Sequence, residues 1–156
     1  MFSDSILNNV TLFNQDVSRA DVVLAAKEIG VHDFINSLPN NYDYVVGERG
    51  VTLSSGQRQL ISFLRIYVRN PKILILDEAT SSIDTLTEGL LQQALIKLTH
   101  HRTTIVIAHR LSTIIAADKI LYLESGQIVE EGSHKYLMNK KGRYYDSFMI
   151  QRDELS

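Results

Sequence analysis

Leu53-Ser54-Ser55-Gly56-Gln57-Arg58-Gln59 and, after an apolar-rich stretch, Pro71-Lys72-Ile73-Leu74-Ile75-Leu76-Asp77-Glu78-Ala79-Thr80-Ser81-Ser82-Ile83-Asp84 decide how this chain is read. In the second segment the apolar run Ile73–Leu76 follows a proline and leads into two acids. A short continuous apolar run bounded in this way predicts a strand buried on both faces of a parallel sheet. Ligands of open α/β sheets bind outside the carboxyl ends of the strands, where Asp77 and Glu78 stand. One carboxylate suits a hydrated Mg²⁺, which keeps several waters and takes one or two carboxylates. The next can polarise an attacking water.

The first segment supplies a different tool. Leu60, Phe63, Leu64, Tyr67 and Val68 recur at helical spacing, and Ser54 and Ser55 just before them are an N-cap signal. Gly56 lets a ligand approach the backbone closely. The open amides and dipole of such a helix start attract an anion.

Together these residues resemble the signature motif, Walker B strand and D-loop of an ABC-transporter nucleotide-binding domain. The usual signature is Leu-Ser-Gly-Gly-Gln, and Ser55 stands here where the first Gly is usual. The resemblance implies an ABC-type P-loop NTPase of α/β class. Residues 1–70 would form part of a helical signature subdomain, and residues 71–156 the C-terminal part of the ATPase core.

Composition bounds the alternatives. The 156 residues amount to one domain, and a net charge of −2 offers no basic surface for nucleic acid. Without cysteine there is neither a disulfide framework nor a thiolate metal site. No apolar run reaches the ~18 residues of a membrane span, and no signal-peptide pattern opens the chain.

Along the chain, Ser5 or Asp4 predicts a cap for a turn carrying Ile6, Leu7 and Val10. This segment resembles the one that follows the Q-loop, and the position of Met1 lies inside the domain in that family. Ser18-Arg19-Ala20-Asp21 reads as a capping box ahead of Val22, Ala25, Ala26 and Ile29, with Gly30 as the stop. His32 opens a short helix that Pro39 ends. It lacks a matching second ligand, which favours capping or packing. Val46-Gly47-Glu48-Arg49-Gly50 resembles the X-loop of the exporter branch, which meets the membrane domain. A bare turn with a solvated charge pair is the plainer alternative.

A helix is predicted over 85–98, with Leu90, Leu91, Ala94, Leu95 and Leu98 inward. A second buried strand, Thr103–Ala108, carries His109 at its carboxyl end, where an imidazole could bond a terminal phosphate. His109 resembles the switch histidine of the H-loop. Residues 119–132 read as a hairpin turning at Ser125-Gly126. Ser133 would cap a helix to about Asn139, and a last helix holds Tyr144, Tyr145, Phe148 and Met149, for which packing is favoured over a partner patch.

No Gly-x-x-x-x-Gly-Lys-Ser/Thr occurs. The expectation is therefore a C-terminal fragment that lacks the Walker A and Q-loop region and is inactive alone. In the whole protein, the resemblance implies ATP and Mg²⁺ as cofactors, with Asp77 on Mg²⁺ through water. Glu78 would be the general base, with His109 on the γ-phosphate and Asp84 signalling across a dimer. Ser54, Ser55, Gly56 and Gln57 would face nucleotide held by a second nucleotide-binding domain. Such a homo- or heterodimer sits on the cytoplasmic face of a membrane and powers export. Rival readings are a non-transport ABC ATPase and a non-catalytic interaction module.

Overall fold

The structure, a computed structural model, describes residues 1–47, 50, 52–77, 85–108 and 111–154, with the backbone alone for Thr85, Leu86 and Glu154. Glu48, Arg49, Glu78, Asp84 and His109 fall outside these described residues. The chain forms two compact units, one from Met1–Ile75 with Thr80–Ile105 and the other from Leu76–Ala79 with Val106–Ser156.

The first unit is built on caps and one long amphipathic helix. Ser5 accepts from the Asn8 N–H and starts α1 (Ile6–Thr11). Ser18 and Asp21 form the expected capping box of α2 (Arg19–Glu28), and Gly30 follows its end at φ +81°. In α3 (His32–Asn36) the His32 ring lies 2.9 Å from Tyr42 Oη and 2.8 Å from Asn36 Nδ2, so it ties α3 to a single 3-10 turn at Asn41–Asp43. Arg19 forks onto the Asp43 carboxylate with two 2.8 Å bonds.

Helix α4 (Ser55–Arg69) buries Leu60, Ile61, Phe63 and Leu64 and packs on α1, α2 and α5 (Thr85–Thr99). Each such side chain contributes about 1.5–3 kcal/mol when fully removed from water. Of the five inward residues expected on α5, Leu91, Ala94 and Leu98 are buried, while Leu90 and Leu95 are half-buried.

Strands β1 (Ile73–Asp77) and β2 (Thr103–Ile107) pair with each other. The Thr103 N–H donates to the Lys72 carbonyl (3.2 Å), so the two strands begin side by side. The expectation of strands buried on both faces fails. Leu74 is 4% exposed, but Ile73 and Ile75 are 64% and 70% exposed, and Ile105 and Ile107 are each 55% exposed. Alternation along β1 sends these side chains to opposite faces, and only the Leu74 face is covered.

In the second unit β3 (Ile120–Glu124) and β4 (Gln127–Gly132) form an antiparallel hairpin, a two-stranded sheet distinct from β1–β2. Ser125 and Gly126 take φ of +51° and +78°, as a tight two-residue hairpin turn requires. Helices α6 (Leu111–Ala116), α7 (His134–Lys140) and α8 (Arg143–Glu154) complete the unit around Leu137, Tyr144 and Phe148. Tyr144 is buried and its hydroxyl meets His134 Nδ1 at 2.6 Å, as the packing reading expected. That burial raises the pKa of its phenol.

One buried acid joins the hairpin to the last helix. Glu130 on β4 is 7% exposed, accepts from the Tyr144 N–H at 2.8 Å, and pairs with Lys140 at 3.1 Å. The Tyr144 amide first, then the Lys140 ammonium, hold its carboxyl below the ordinary glutamate value. A Cβ on Gly142 would lie 2.0 Å from Glu130 Oε1. Gly142→Ala is therefore expected to destabilise the second unit by about 1–3 kcal/mol through overpacking. Urea unfolding measures this, and the loss should shrink in a Glu130→Ala background. Equal losses in the two backgrounds would rule the contact out as the cause.

Candidate functional site

The start of α4 carries the residues singled out in the sequence. Ser54 is the N-cap: its hydroxyl accepts from the Gln57 N–H (3.2 Å), and Gln57 Oε1 accepts from the Ser54 N–H (3.0 Å). This reciprocal box uses one amide of the first helical turn internally. The Ser55 and Gly56 amides have no hydrogen-bond partner among the described residues, as the first amides of a helix lack an intrahelical acceptor. Ser54 and Ser55 are exposed and Gly56 is buried. The exposed Ser55, with the unpaired amide of buried Gly56 next to it, stands at the positive end of a 15-residue helix, a place that favours an anion. Gln57 has spent its oxygen on the cap, which leaves its NH₂ end to offer outward.

The first turn of α4 holds no acidic residue to compensate the dipole. Arg58, in the same turn, opposes it, an effect of about 0.3–1 kcal/mol. Its guanidinium is engaged elsewhere, with Nη1 donating to the Leu53 carbonyl at 2.6 Å.

Two further polar groups tie the later part of α4 to α1, and neither is a sequence candidate. Asn9 of α1 is fully buried. Its Oδ1 accepts from the Phe2 N–H (2.8 Å), and its Nδ2 donates to the carbonyls of Phe2, Asp4 and Ser5 at 3.0 to 3.2 Å. Its own carbonyl accepts from Arg65 Nε of α4 at 2.8 Å. Burial lowers the pKa of the Arg65 guanidinium, and the neighbouring Arg69 adds like charge. The signal for Asn9 lay in its spacing: it shares a helical face with Ile6 and Val10, where an amide must find partners. The segment folded back by Asn9 also reaches the X-loop candidate. Ile6 N–H donates to the Tyr44 carbonyl and Val46 N–H to the Asp4 carbonyl, around a Ser5–Val45 bridge.

Asp77 ends β1 with its side chain exposed. Asp77 lies in the second compact unit and Ser54–Gln57 in the first. Glu78, Asp84 and His109, and Glu48 and Arg49 of the X-loop candidate, lie outside the described residues. Among the described residues no group of three or more His, Cys, Asp or Glu could hold a metal by itself. A lone exposed carboxylate nevertheless fits Mg²⁺, which completes its shell with water and phosphate oxygens. No helix among the described residues is long and apolar enough to cross a membrane.

Comparison with known proteins gives this arrangement a family context. A family model described as "ABC transporter" matches residues 2–81. A protein of Staphylococcus aureus strain NCTC 8325 / PS 47, named "Putative multidrug export ATP-binding/permease protein", is 50% identical over 151 residues, covering 97% of this chain and 26% of its own length. Its counterpart in the bovine strain RF122 / ET3-1 matches to the same extent. Among solved structures, a bacterial Atm1-family ABC exporter with ATP bound superposes with a TM-score of 0.84 at 44% identity, covering 97% of this chain and 26% of that one. The chain thus spans about a quarter of the length of the relatives it matches.

Removing the cap tests the local account of α4. Ser54→Ala is expected to cost about 1 kcal/mol of stability, as lost N-caps do, while Ser54→Asp restores most of it. Chemical denaturation reads both, and equal stability of all three proteins would refute the capping box.

Proposed function

The chain belongs to the ABC transporter family, and from that premise we propose that it is the C-terminal part of the ATPase domain of an exporter. In the whole protein, ATP hydrolysis would drive a substrate across a membrane, with this domain at the cytoplasmic face. The carrying observation is the start of α4, where a self-contained capping box leaves the Ser55 and Gly56 amides without an internal acceptor. A helix end built this way accepts phosphate without rearranging its own cap. The mixed α/β fold of the chain and the export and ATP-binding vocabulary of its relatives' names support the same reading.

The proposed roles follow from chemistry at each position. Ser54, Ser55, Gly56 and Gln57 would donate to the phosphates of ATP held by a second nucleotide-binding domain. Asp77 would hold Mg²⁺ through water, and the ion when bound would neutralise phosphate charge. Glu78 would accept the proton of the attacking water. His109 would donate to the γ-phosphate, and Asp84 would carry the state of one site to the other. Val46–Gly50 would meet the membrane-spanning domains. Residues 1–70 would serve as the helical signature portion and 71–156 as the core portion.

Two outcomes check this reading. In the full-length transporter, Glu78→Gln is expected to lower steady-state ATPase turnover by about 10²–10⁴-fold, the usual loss of a general base, with ATP still bound. Turnover within about threefold of wild type would remove Glu78 from that role. The chain alone is expected to bind Mg-ATP too weakly for saturation. Four or five missing charge-assisted bonds to phosphate, at about 1.5 kcal/mol each, remove roughly 6–7 of the ~8 kcal/mol that micromolar affinity represents. Saturable binding tighter than about 100 μM by calorimetry would contradict this.

A further inference from the structure

One arginine stands where both strands of the first sheet begin. β1 starts after Asn70-Pro71-Lys72, with Asn70 closing α4 at φ +45°, and β2 starts directly after Arg102. Arg102 Nη2 donates to Asn70 Oδ1 at 2.8 Å, and its Nη1 donates to the Leu98 carbonyl in the last turn of α5. Its guanidinium carbon sits 5.2 Å from the centroid of the Tyr67 ring, and the Tyr67 phenol is hydrogen-bonded to Glu28 of α2. Beside the Arg102–Asn70 bond lies the first backbone bond of the strand pair, from the Thr103 N–H to the Lys72 carbonyl.

These contacts bear on register. Hydrophobic burial fixes register only through the face that is covered. On β1 that face carries Leu74, buried, and Leu76, half-buried, while Ile73 and Ile75 on the other are 64% and 70% exposed. The Arg102–Asn70 bond adds a fixed point at the start of both strands. Pro71, with its locked φ, leaves the short path from Asn70 to Ile73 little freedom to absorb a shift. One residue of slip would carry Asp77, the last residue of β1, about 3.3 Å along the strand and turn its side chain to the opposite face.

We propose that Arg102 is a positioning residue: by holding Asn70 it sets the register of β1, and with it the placement of the Asp77 carboxylate that takes Mg²⁺. The proposal rests on the ATPase reading above, which gives Asp77 that role. A guanidinium suits the task because its planar fork reaches two oxygens while its face lies on an aromatic ring. A lysine ammonium is a point charge and does not reproduce all three contacts.

The test uses the full-length transporter with Asn70→Gly, Asn70→Asp, Arg102→Lys and the double Asn70→Gly/Arg102→Lys, and follows ATPase activity against free Mg²⁺ at saturating ATP. Asn70→Gly keeps the left-handed backbone and removes the acceptor. A misplacement of about 1 Å costs on the order of 10²-fold in rate, so Asn70→Gly and Arg102→Lys are each expected to lower kcat about 10–100-fold. Each should also raise the half-saturating Mg²⁺ about 3–10-fold, less than the loss of a group bonded directly to a metal ligand causes. Asn70→Asp, whose carboxylate makes a charge-assisted bond to the same guanidinium, should stay within about twofold of wild type in both. The double variant should fall no further than the worse single one, since both changes break one contact. Wild-type Mg²⁺ dependence in Asn70→Gly and Arg102→Lys, whatever their melting temperatures, would reduce the contact to a structural staple and overturn the proposal. Losses that multiply in the double variant, or an Asn70→Asp as impaired as Asn70→Gly, would overturn it too. Asn70→Gly decides the matter if Arg102→Lys fails to fold. Asp77→Asn run alongside separates the two readings. If it loses turnover while the Asn70 and Arg102 variants match wild type, only the positioning role falls. If it keeps wild-type turnover and Mg²⁺ dependence, the ATPase reading falls and this inference falls with it.

Discussion

Everything in the first unit depends on covering one face of α4. Leu60, Ile61, Phe63 and Leu64 need apolar neighbours on that side, and α1, α2 and α5 supply them. Because α1 and α2 precede α4 and α5 follows it, this single face sets where the other three helices lie. The two ends of α4 are held by arginines of opposite provenance. Arg58 reaches back from inside the helix to the Leu53 carbonyl. Arg102, beyond α5, bonds Asn70 at 2.8 Å and the Leu98 carbonyl, and stacks over Tyr67. Asn70 itself closes α4 in the left-handed conformation, which asparagine tolerates better than most residues.

A helix fixed along its length and at both ends can expose its first turn without fraying. That turn carries its own cap, so the unpaired amides of Ser55 and Gly56 are a property of a rigid element. The desolvated Arg65 and the buried carboxamide of Asn9 extend the same support toward residues 2–5. Polar groups buried this way are costly unless every donor and acceptor is used. Asn9 meets that condition nearly in full, whereas Arg65 Nη2 remains without a partner among the described residues.

Local patterns were the most legible part of the sequence. Ser5, Ser18, Ser54 and Ser133 each cap the helix they precede, because capping needs only a short side chain at one position. The Ser125-Gly126 turn was likewise readable, since few residues accept positive φ. The faces of β1 and β2 were misread for a physical reason. The run Ile73–Leu76 tells what a strand is suited to be covered by, and nothing about what covers it here. The bonds of Arg58 to the Leu53 carbonyl and of Glu130 to the Tyr144 amide are not legible in the sequence. A carbonyl or amide as partner leaves no trace in residue identity. Of the candidate site, the signature end of α4 is visible in order and spacing, whereas the internal use of Gln57 Oε1 shows only in the fold.

The bond between Arg65 Nε and the Asn9 carbonyl joins residues 56 positions apart. Such pairings carry the entropy of closing a long loop before any contact rewards it. The second unit is different: its hairpin, α7 and α8 follow one another directly, and the Glu130 to Tyr144 bond spans 14 positions. During synthesis the first unit would therefore wait, with α1 and α2 already made but α4 and α5 still to emerge. The second could close soon after its last helix appears. The apolar faces of Ile6, Val10 and Val22 thus stay uncovered on a growing chain until α4 and α5 emerge, and are a stretch on which nascent-chain protection by chaperones would act.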